Sequence, residues 1–395
     1  MKLRAGSKAL IREINEALVL DVVRARQPVA RAVIAATTGL SPATVTGITG
    51  KLLSTGLLAE ADVVRGTGGR PARPLRLGRD AVFAAGVRLA ASEAIVVLVD
   101  LTGEVVDTHR EPVPSTHPDE AAAAIVRGVE HVAAARADAA LIGVGVAVSG
   151  MVDQAGGVVR HSGAQQWEDV PLRALLADRL GVPVIIDSYV NALASGELLF
   201  APRHEGRSLL AFTVGTSLGA SVVVEGRIHR GFDGTAGGFA HWRADGAAEA
   251  DRPCHCGATG CLETWASGWG LAREYERRGV TADTASDEIR VQVHDEAARR
   301  LGAAMANACK MFGPERVLVA VGSEVDGDAL LPRAAAVFAE QFVHEHAPAP
   351  ALDVTAADRL AFARGAAYEV LAHMFSADRA FESEADDHTE RAIAH

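Results

Sequence analysis

The chain has 395 residues, 49% of them hydrophobic but only 5% aromatic, so its cores must rest on Ala, Val and Leu. No apolar run reaches the roughly 20 residues of a membrane span, and the N-terminal stretch carries charges through its apolar part, so a secretory signal is not expected there. The net charge of −11 argues against nucleic acid only until it is divided: residues 1–80 hold 13 Lys+Arg and 6 Asp+Glu, a balance of +7 that leaves −18 for the remainder. A basic head on an acidic body predicts that the head meets a polyanion.

In the head, Ile11, Ile14, Leu18 and Val22 recur at helical spacing and predict one amphipathic helix, broken at Gln27-Pro28. A second helix over 29–38 and a turn at Gly39-Leu40 follow. Ser41 then reads as an N-cap, with Pro42 opening a third helix that runs to Thr55. Helix, short glycine turn, helix is the helix-turn-helix arrangement, whose last helix reads the major groove. Val45, Ile48, Leu52 and Leu53 are assigned to the core, which leaves Ser41, Ala43, Thr44, Thr46 and Thr49 as candidate DNA-facing residues. Threonines touch thymine methyls or phosphates but specify weakly. Two short strands, 57–60 and 74–77, flank a Gly-rich loop in which Arg70 and Arg73 are placed to enter a narrow minor groove. Residues 1–80 are thus expected to form an all-α/winged helix-turn-helix domain on a double-stranded DNA operator, presented twice by a homodimer or tetramer to a palindromic site.

The body begins with strands over 84–89, 94–100 and 104–110. A helix over 118–137, a buried strand over 141–148, a helix over 171–180, a strand over 182–186 and a helix over 190–200 follow. Three strands and then alternating helix and strand is the layout of one lobe of an α/β actin-like (hexokinase/RNase H-like) fold. Strands over 209–214, 218–224 and 227–229 start a second lobe. It continues with a Trp-rich helix, a helix over 285–312, a strand over 317–321 and helices over 328–346 and 359–375. The expected boundaries are 81–200 for the first lobe and 201–380 for the second, with an acidic, disordered tail over 381–395.

Three of the four cysteines, Cys254, Cys256 and Cys261, crowd together among Gly257 and Gly260, and His241 lies thirteen residues before the first. Three thiolates and one imidazole fill a tetrahedral zinc shell and leave no position for water, the arrangement of a structural site rather than a hydrolytic one. Cys309 has no nearby partner, so a disulfide framework is not expected and a reducing cytoplasm fits.

Ala240-His241 followed by Cys254-His255-Cys256-Gly257 and Gly260-Cys261-Leu262-Glu263 resembles the zinc loop of the ROK family of repressors and sugar kinases, whose pattern runs GH and then CxCGxxGCLE. The likeness extends through LIGVGVAVSGMVD, WEDVPL and Asn191 in the body and through the Gly69-Arg70-Pro71 of the wing loop. The resemblance implies a two-lobed ROK domain, structural zinc on His241, Cys254, Cys256 and Cys261, and a sugar or other effector near Ser188, Tyr189, Asn191, His241 and Glu263. It also shows where kinase chemistry is missing. The family's GxDxGGT turn reads Gly86-Val87-Arg88-Leu89-Ala90-Ala91-Ser92, without the Asp and without the phosphate-cradling glycines. Its E-N-D-A-N reads Asp187-Ser188-Tyr189-Val190-Asn191, so Tyr189 stands where the base belongs. A phenol with an ordinary pKa of roughly 10 is a poor base; Asp187, two residues earlier on the same strand face, is the alternative. The Glu of A-G-E-I-G-H is Gly238. Three functions compete: a DNA-binding repressor of carbohydrate-related genes without phosphotransfer, a ligand-independent DNA-binding regulator, and a sugar kinase with an extra head. The first is the expected one, with lobe closure altering the spacing of two heads.

Overall fold

The computed structural model describes residues 8–62, 73–200, 208–244, 252–343 and 348–376. The head consists of α1 (Lys8–Arg26), α2 (Arg31–Thr38), α3 (Pro42–Ser54) and the antiparallel strands β1 (Leu58–Glu60) and β2 (Leu75–Leu77). Helix α2 stops at Gly39, which takes the left-handed φ of 72° and closes its N–H on Ala35 O. Two residues later Ser41 caps α3 by accepting from the Thr44 N–H at 3.1 Å. The chain turns by 118° between the two helices. Because the cap closes within one turn, Ser41→Ala is expected to destabilise α3 by about 1 kcal/mol. Amide exchange across α3 should rise about fivefold with both lobes unchanged; unaltered exchange there would refute the role.

The buried face of α1 keeps Val22 from the set that periodicity picks out but not Ile11 or Leu18. Ile11 and Leu18 are 51% and 36% exposed, while Leu10, Ala17, Val19, Leu20 and Val23 are buried. The reason is that α1 packs on two sides, against the head and against the body's last helix, so a single-stripe reading mislocates the core.

In the body, β3 (Val82–Leu89), β4 (Glu93–Asp100) and β5 (Val105–Pro112) precede α4 (Pro118–Ala134) and β6 (Ala140–Val148). A small antiparallel sheet of β7 (Met151–Asp153), β8 (Val158–Ser162) and β9 (Trp167–Val170) comes next, then α5 (Leu172–Leu180), β10 (Val184–Ser188) and α6 (Tyr189–Phe200). The second lobe holds β11 (Leu209–Val214), β12 (Leu218–Val224), β13 (Arg227–His229), α7 (Glu263–Ala266), α8 (Gly268–Arg277) and α9 (Asp287–Phe312). It ends with β14 (Arg316–Val321), α10 (Gly327–Gln341) and β15 (Ala351–Ala356), before α11 (Arg359–Phe375).

The sheet orders are β10-β6-β3-β4-β5 and β13-β12-β11-β14-β15. Read from opposite ends they are the same arrangement: three consecutive antiparallel strands extended on one side by two parallel ones. That is the duplicated lobe of the actin-like fold. Two pieces were not expected. The β7–β9 sheet is built of three- to five-residue strands, too short for a periodic signal. Strand β15 is an exposed edge with no buried residue, so it lacks the apolar run that marked β6. Helix α10 ends at Gln341 rather than at 346.

Helix α11 corrects the expected lobe boundary. It follows the second lobe in sequence but lies across β3, β6, β4 and β10 and along α6. Its floor is made of Gly86 and Gly145, register partners on β3 and β6. A Cβ on Gly86 would collide with Ala363 O, and one on Gly145 with Ala366 O. The core beneath the head is continuous with this layer: Val19, Val23 and Leu52 join Ala84, Ile95 and Val97 of the first sheet and Leu371 and Phe375 of α11. The head is therefore fused to the first lobe rather than tethered to it. Among the described residues no single helix is long and apolar enough to cross a membrane. The expected tail over 381–395 lies outside the described residues.

Candidate functional site

Among the described residues, a cluster of donor atoms that could hold a metal ion lies in the second lobe. The short 3-10 turn Gly238–His241 presents His241. A narrow hairpin, held by bridges of Arg243 to Cys261 and Pro253 to Thr259, presents the three cysteines. Gly257 and Gly260 turn this hairpin with φ of 88° and 69°, which favours glycine at both positions. The ligand atoms of His241, Cys254, Cys256 and Cys261 all lie within 4.8 Å of one another. His241 Nδ1 stands 3.6 Å from Cys254 Sγ, and Cys256 Sγ stands 3.7 Å from Cys261 Sγ. A tetrahedral ion with metal–sulfur bonds of about 2.3 Å sets its sulfurs about 3.8 Å apart, so these two pairs stand close to the spacing that one such ion requires. Burial pushes the Cys254 thiol up to about 12 and raises Cys261 as well; both sulfurs stay protonated unless a cation is at hand. Burial, with His255 and His161 nearby, lowers the pKa of His241 and keeps its ring neutral, as a ligand must be.

The hairpin is also braced from outside. Arg252 donates to Thr264 O at 2.9 Å and pairs with Glu274. The Arg252 and Arg300 guanidinium groups lie over the Trp265 ring, 3.2 and 3.4 Å from its centroid.

On the head, Ser41, Ala43, Thr44 and Thr46 are exposed along the start of α3. The Thr46 hydroxyl donates back to Pro42 O at 2.8 Å, which leaves its methyl group outward. Thr49 is not on this face. It is fully buried, donates to Val45 O at 2.8 Å and accepts from Arg31 Nε at 3.1 Å. Positions 45, 48, 49 and 52 form the inward stripe of α3, and a stripe of i, i+3, i+4 takes the threonine with it. Arg73 pairs with Glu60 at 2.7 Å, and Arg70 lies outside the described residues.

Of the expected effector positions His241 is exposed, whereas Ser188, Tyr189, Asn191 and Glu263 have partners within the protein. The Tyr189 hydroxyl donates to Leu89 O, its ring stacks on Phe362 at 5.3 Å, and the Arg88 guanidinium lies 5.1 Å from its centroid. Burial pushes this phenol up to about 12. Glu263 is fully buried, accepts from the Leu218 N–H at 2.8 Å and has its second oxygen without a partner; burial holds its carboxyl up at about 7. Ser188 accepts from the Asn191 N–H at 3.3 Å, and the Asn191 amide donates to Asp187 at 2.7 Å.

Asp187 belongs to a buried ionic cluster that no sequence pattern announced. Asp187 and Glu369, each 2% exposed, share the guanidinium of Arg230 at 2.7 and 3.3 Å. Gln154 donates to both carboxylates at 3.3 Å, and Ser195 donates to Glu369 at 2.8 Å. Burial works against the Arg230 charge, but Asp187 and Glu369 more than offset it and the net shift is upward. Where a kinase would cradle phosphate, Glu93 faces three cations: Arg110 at 3.1 Å, Arg359 at 3.3 Å and Arg88 at 4.0 Å. Arg359 also reaches Glu324 of the second lobe at 3.4 Å.

The ROK family profile matches residues 84–372. The xylose repressor of Caldicellulosiruptor bescii is 26% identical over 353 residues, covering 83% of this chain and 88% of that protein. The glucokinase of Halalkalibacterium halodurans is 30% identical over 275 residues, covering 62% and 82%. The crystal structure of a ROK family transcriptional regulator, a homologue of the E. coli MLC protein, superposes with a TM-score of 0.77 at 23% identity, over 93% of this chain and 98% of that one.

Proposed function

The chain belongs to the ROK family, and on that premise we propose that it is a DNA-binding transcriptional regulator, a repressor of carbohydrate-related genes, that transfers no phosphoryl group. The observation that carries the reading is the head: a Ser41-capped helix set at 118° to its neighbour, with Ala43, Thr44 and Thr46 exposed at its start. The similarity to the xylose repressor, over 83% of the chain against 62% for the glucokinase, supports it.

Proton transfer is what counts against the kinase reading. A sugar hydroxyl attacking a phosphate must hand its proton to a base. Tyr189 has its hydroxyl on Leu89 O and its pKa pushed up to about 12. Asp187, the alternative, is held by Arg230, Gln154 and Asn191.

Zinc suits the Cys254, Cys256, Cys261 and His241 donor set. Bound there, it supplies a cross-link between the 3-10 turn and the hairpin and no reactive position. In a homodimer or tetramer, two heads meet a palindromic operator through Ser41, Ala43, Thr44 and Thr46, with Arg70 and Arg73 in the minor groove, within the cytoplasm.

Full-length protein is expected to shift its own upstream DNA at low salt, with affinity falling as salt rises; absence of any shift sinks the reading. Coupled assays with ATP over a panel of hexoses are expected to show no turnover, and turnover that disappears in Tyr189→Phe would restore the kinase. A ligand-independent regulator is the second reading, favoured by the committed partners of Tyr189, Asp187 and Glu263. Thermal shift against sugars and sugar phosphates separates the two, because a specific effector raises the melting point by mass action.

A further inference from the structure

Helices α6 and α11 each make two kinds of contact. On α6, Asn191 bonds Asp187 and Ser195 bonds Glu369, and one turn further the Leu199 carbonyl accepts from Arg24 of α1. These three positions are spaced i, i+4, i+8, one stripe of a helix. On α11, Glu369 takes Arg230, and Phe375 lies under the same Arg24 guanidinium at 5.6 Å. Glu369 and Phe375 are about 9 Å apart along the axis. At the opposite end Arg230 follows β13, the outer strand of the second lobe. Its loop is seated on the first lobe, for a Cβ on Gly234 would strike Val152 O of β7.

We propose that α6 and α11 form a paired lever that transmits the position of the second lobe, gripped by Arg230, to helix α1 of the head through Arg24. Two buried carboxylates share one guanidinium, so moving Arg230 away takes that charge from both at once, which is unfavourable even with the neutral donors Gln154, Asn191 and Ser195 still at hand. Either the cluster is closed, with α6 and α11 held beneath α1, or it is broken and both helices are released together. Because the head shares its core with α11, a displacement of the helix pair displaces the head. The inference deepens the regulator reading, and rests on it only for the consequence at DNA.

Hydrogen exchange and operator binding on the full chain test it, in the wild type, Arg230→Met, Arg24→Met and the double variant. Arg230→Met is expected to raise exchange about tenfold in the last turns of α6 and α11 and along α1. It should change operator Kd about fivefold, and less than about twofold when Arg24→Met is already present, the non-additivity of a shared path. Exchange that rises around Arg230 but stops short of α1 overturns the lever, as do equal Kd changes in both backgrounds. If Arg230→Met does not fold, Glu369→Gln, which keeps a partner for Ser195, takes its place with the same readouts. A wild type that binds no operator defeats the regulator reading alone, since the exchange pattern still decides the lever.

Discussion

Gly145→Val is expected to lower the melting midpoint of the protein by about 10 °C or to abolish soluble expression, a loss of about 3 kcal/mol or more. Gly145 lies mid-strand on β6, paired with Gly86 of β3 on one side and Ile185 of β10 on the other. Helix α11 meets this floor with Ala363, Ala366 and Ala367, all buried. The atoms a new side chain would strike are the backbone carbonyl, carbonyl carbon and Cα of Ala366, which no rotamer change can move aside. The helix must lift, and it carries with it Leu371 and Phe375, which pack into the core shared with the head. Damage at one glycine of the first sheet should therefore appear in the head as well. Gly238→Ala is the control: its backbone is not in the left-handed region and nothing lies within 4 Å of an added Cβ. A Gly145→Val protein that melts within about 2 °C of wild type would show that α11 does not rest on this floor.

Cys261→Ser is expected to strip the metal, reducing it from stoichiometric to trace amounts by elemental analysis. Structural zinc in small peptides contributes about 10–16 kcal/mol of binding free energy, all of it tied to folding. Here the outer brace of Arg252, Trp265, Glu274 and Arg300 keeps part of the hairpin in place, so the expected consequence is regional. Protection should be lost in the turn at Gly238–His241 and the hairpin. It should weaken in the adjoining core, where Phe239, Leu262 and Trp265 pack with Leu271 and Leu301. Cys309→Ser is the contrast. Cys309 is buried in α9 outside the donor cluster, and its loss should leave metal content unchanged. Full metal occupancy in Cys261→Ser would refute the four-donor site.

Residues whose partners lie within a turn of them were legible. Gly39 closes on Ala35, Ser41 caps Thr44, and Pro42 opens α3; the first two are contacts across four and three residues, and the third is set by the proline's own φ. The cysteines were legible because three soft donors in one Gly-rich hairpin, with an imidazole upstream, suit few purposes other than one metal. The apolar run of β6 announced a strand buried on both faces. Periodicity misled where an element is packed on two sides, as for Ile11 and Leu18 on α1. It misled again where the inward stripe is wider than four apolar residues, as for Thr49.

By itself, then, the sequence determined the order of the main elements, the helix-turn-helix and the donor set, and it puts Tyr189 where the family pattern has its base. Only the tertiary structure decided that Gly86, which the family pattern places in a phosphate turn, serves as floor for α11. It alone returned α11 to the first lobe and joined Arg230 to carboxylates 43 and 139 residues away. The difference is one of range. A cap or a hairpin of ligands closes by local geometry, whereas the partner of a buried charge is chosen by whichever elements the fold packs around it, and a desolvated guanidinium accepts no arrangement without one.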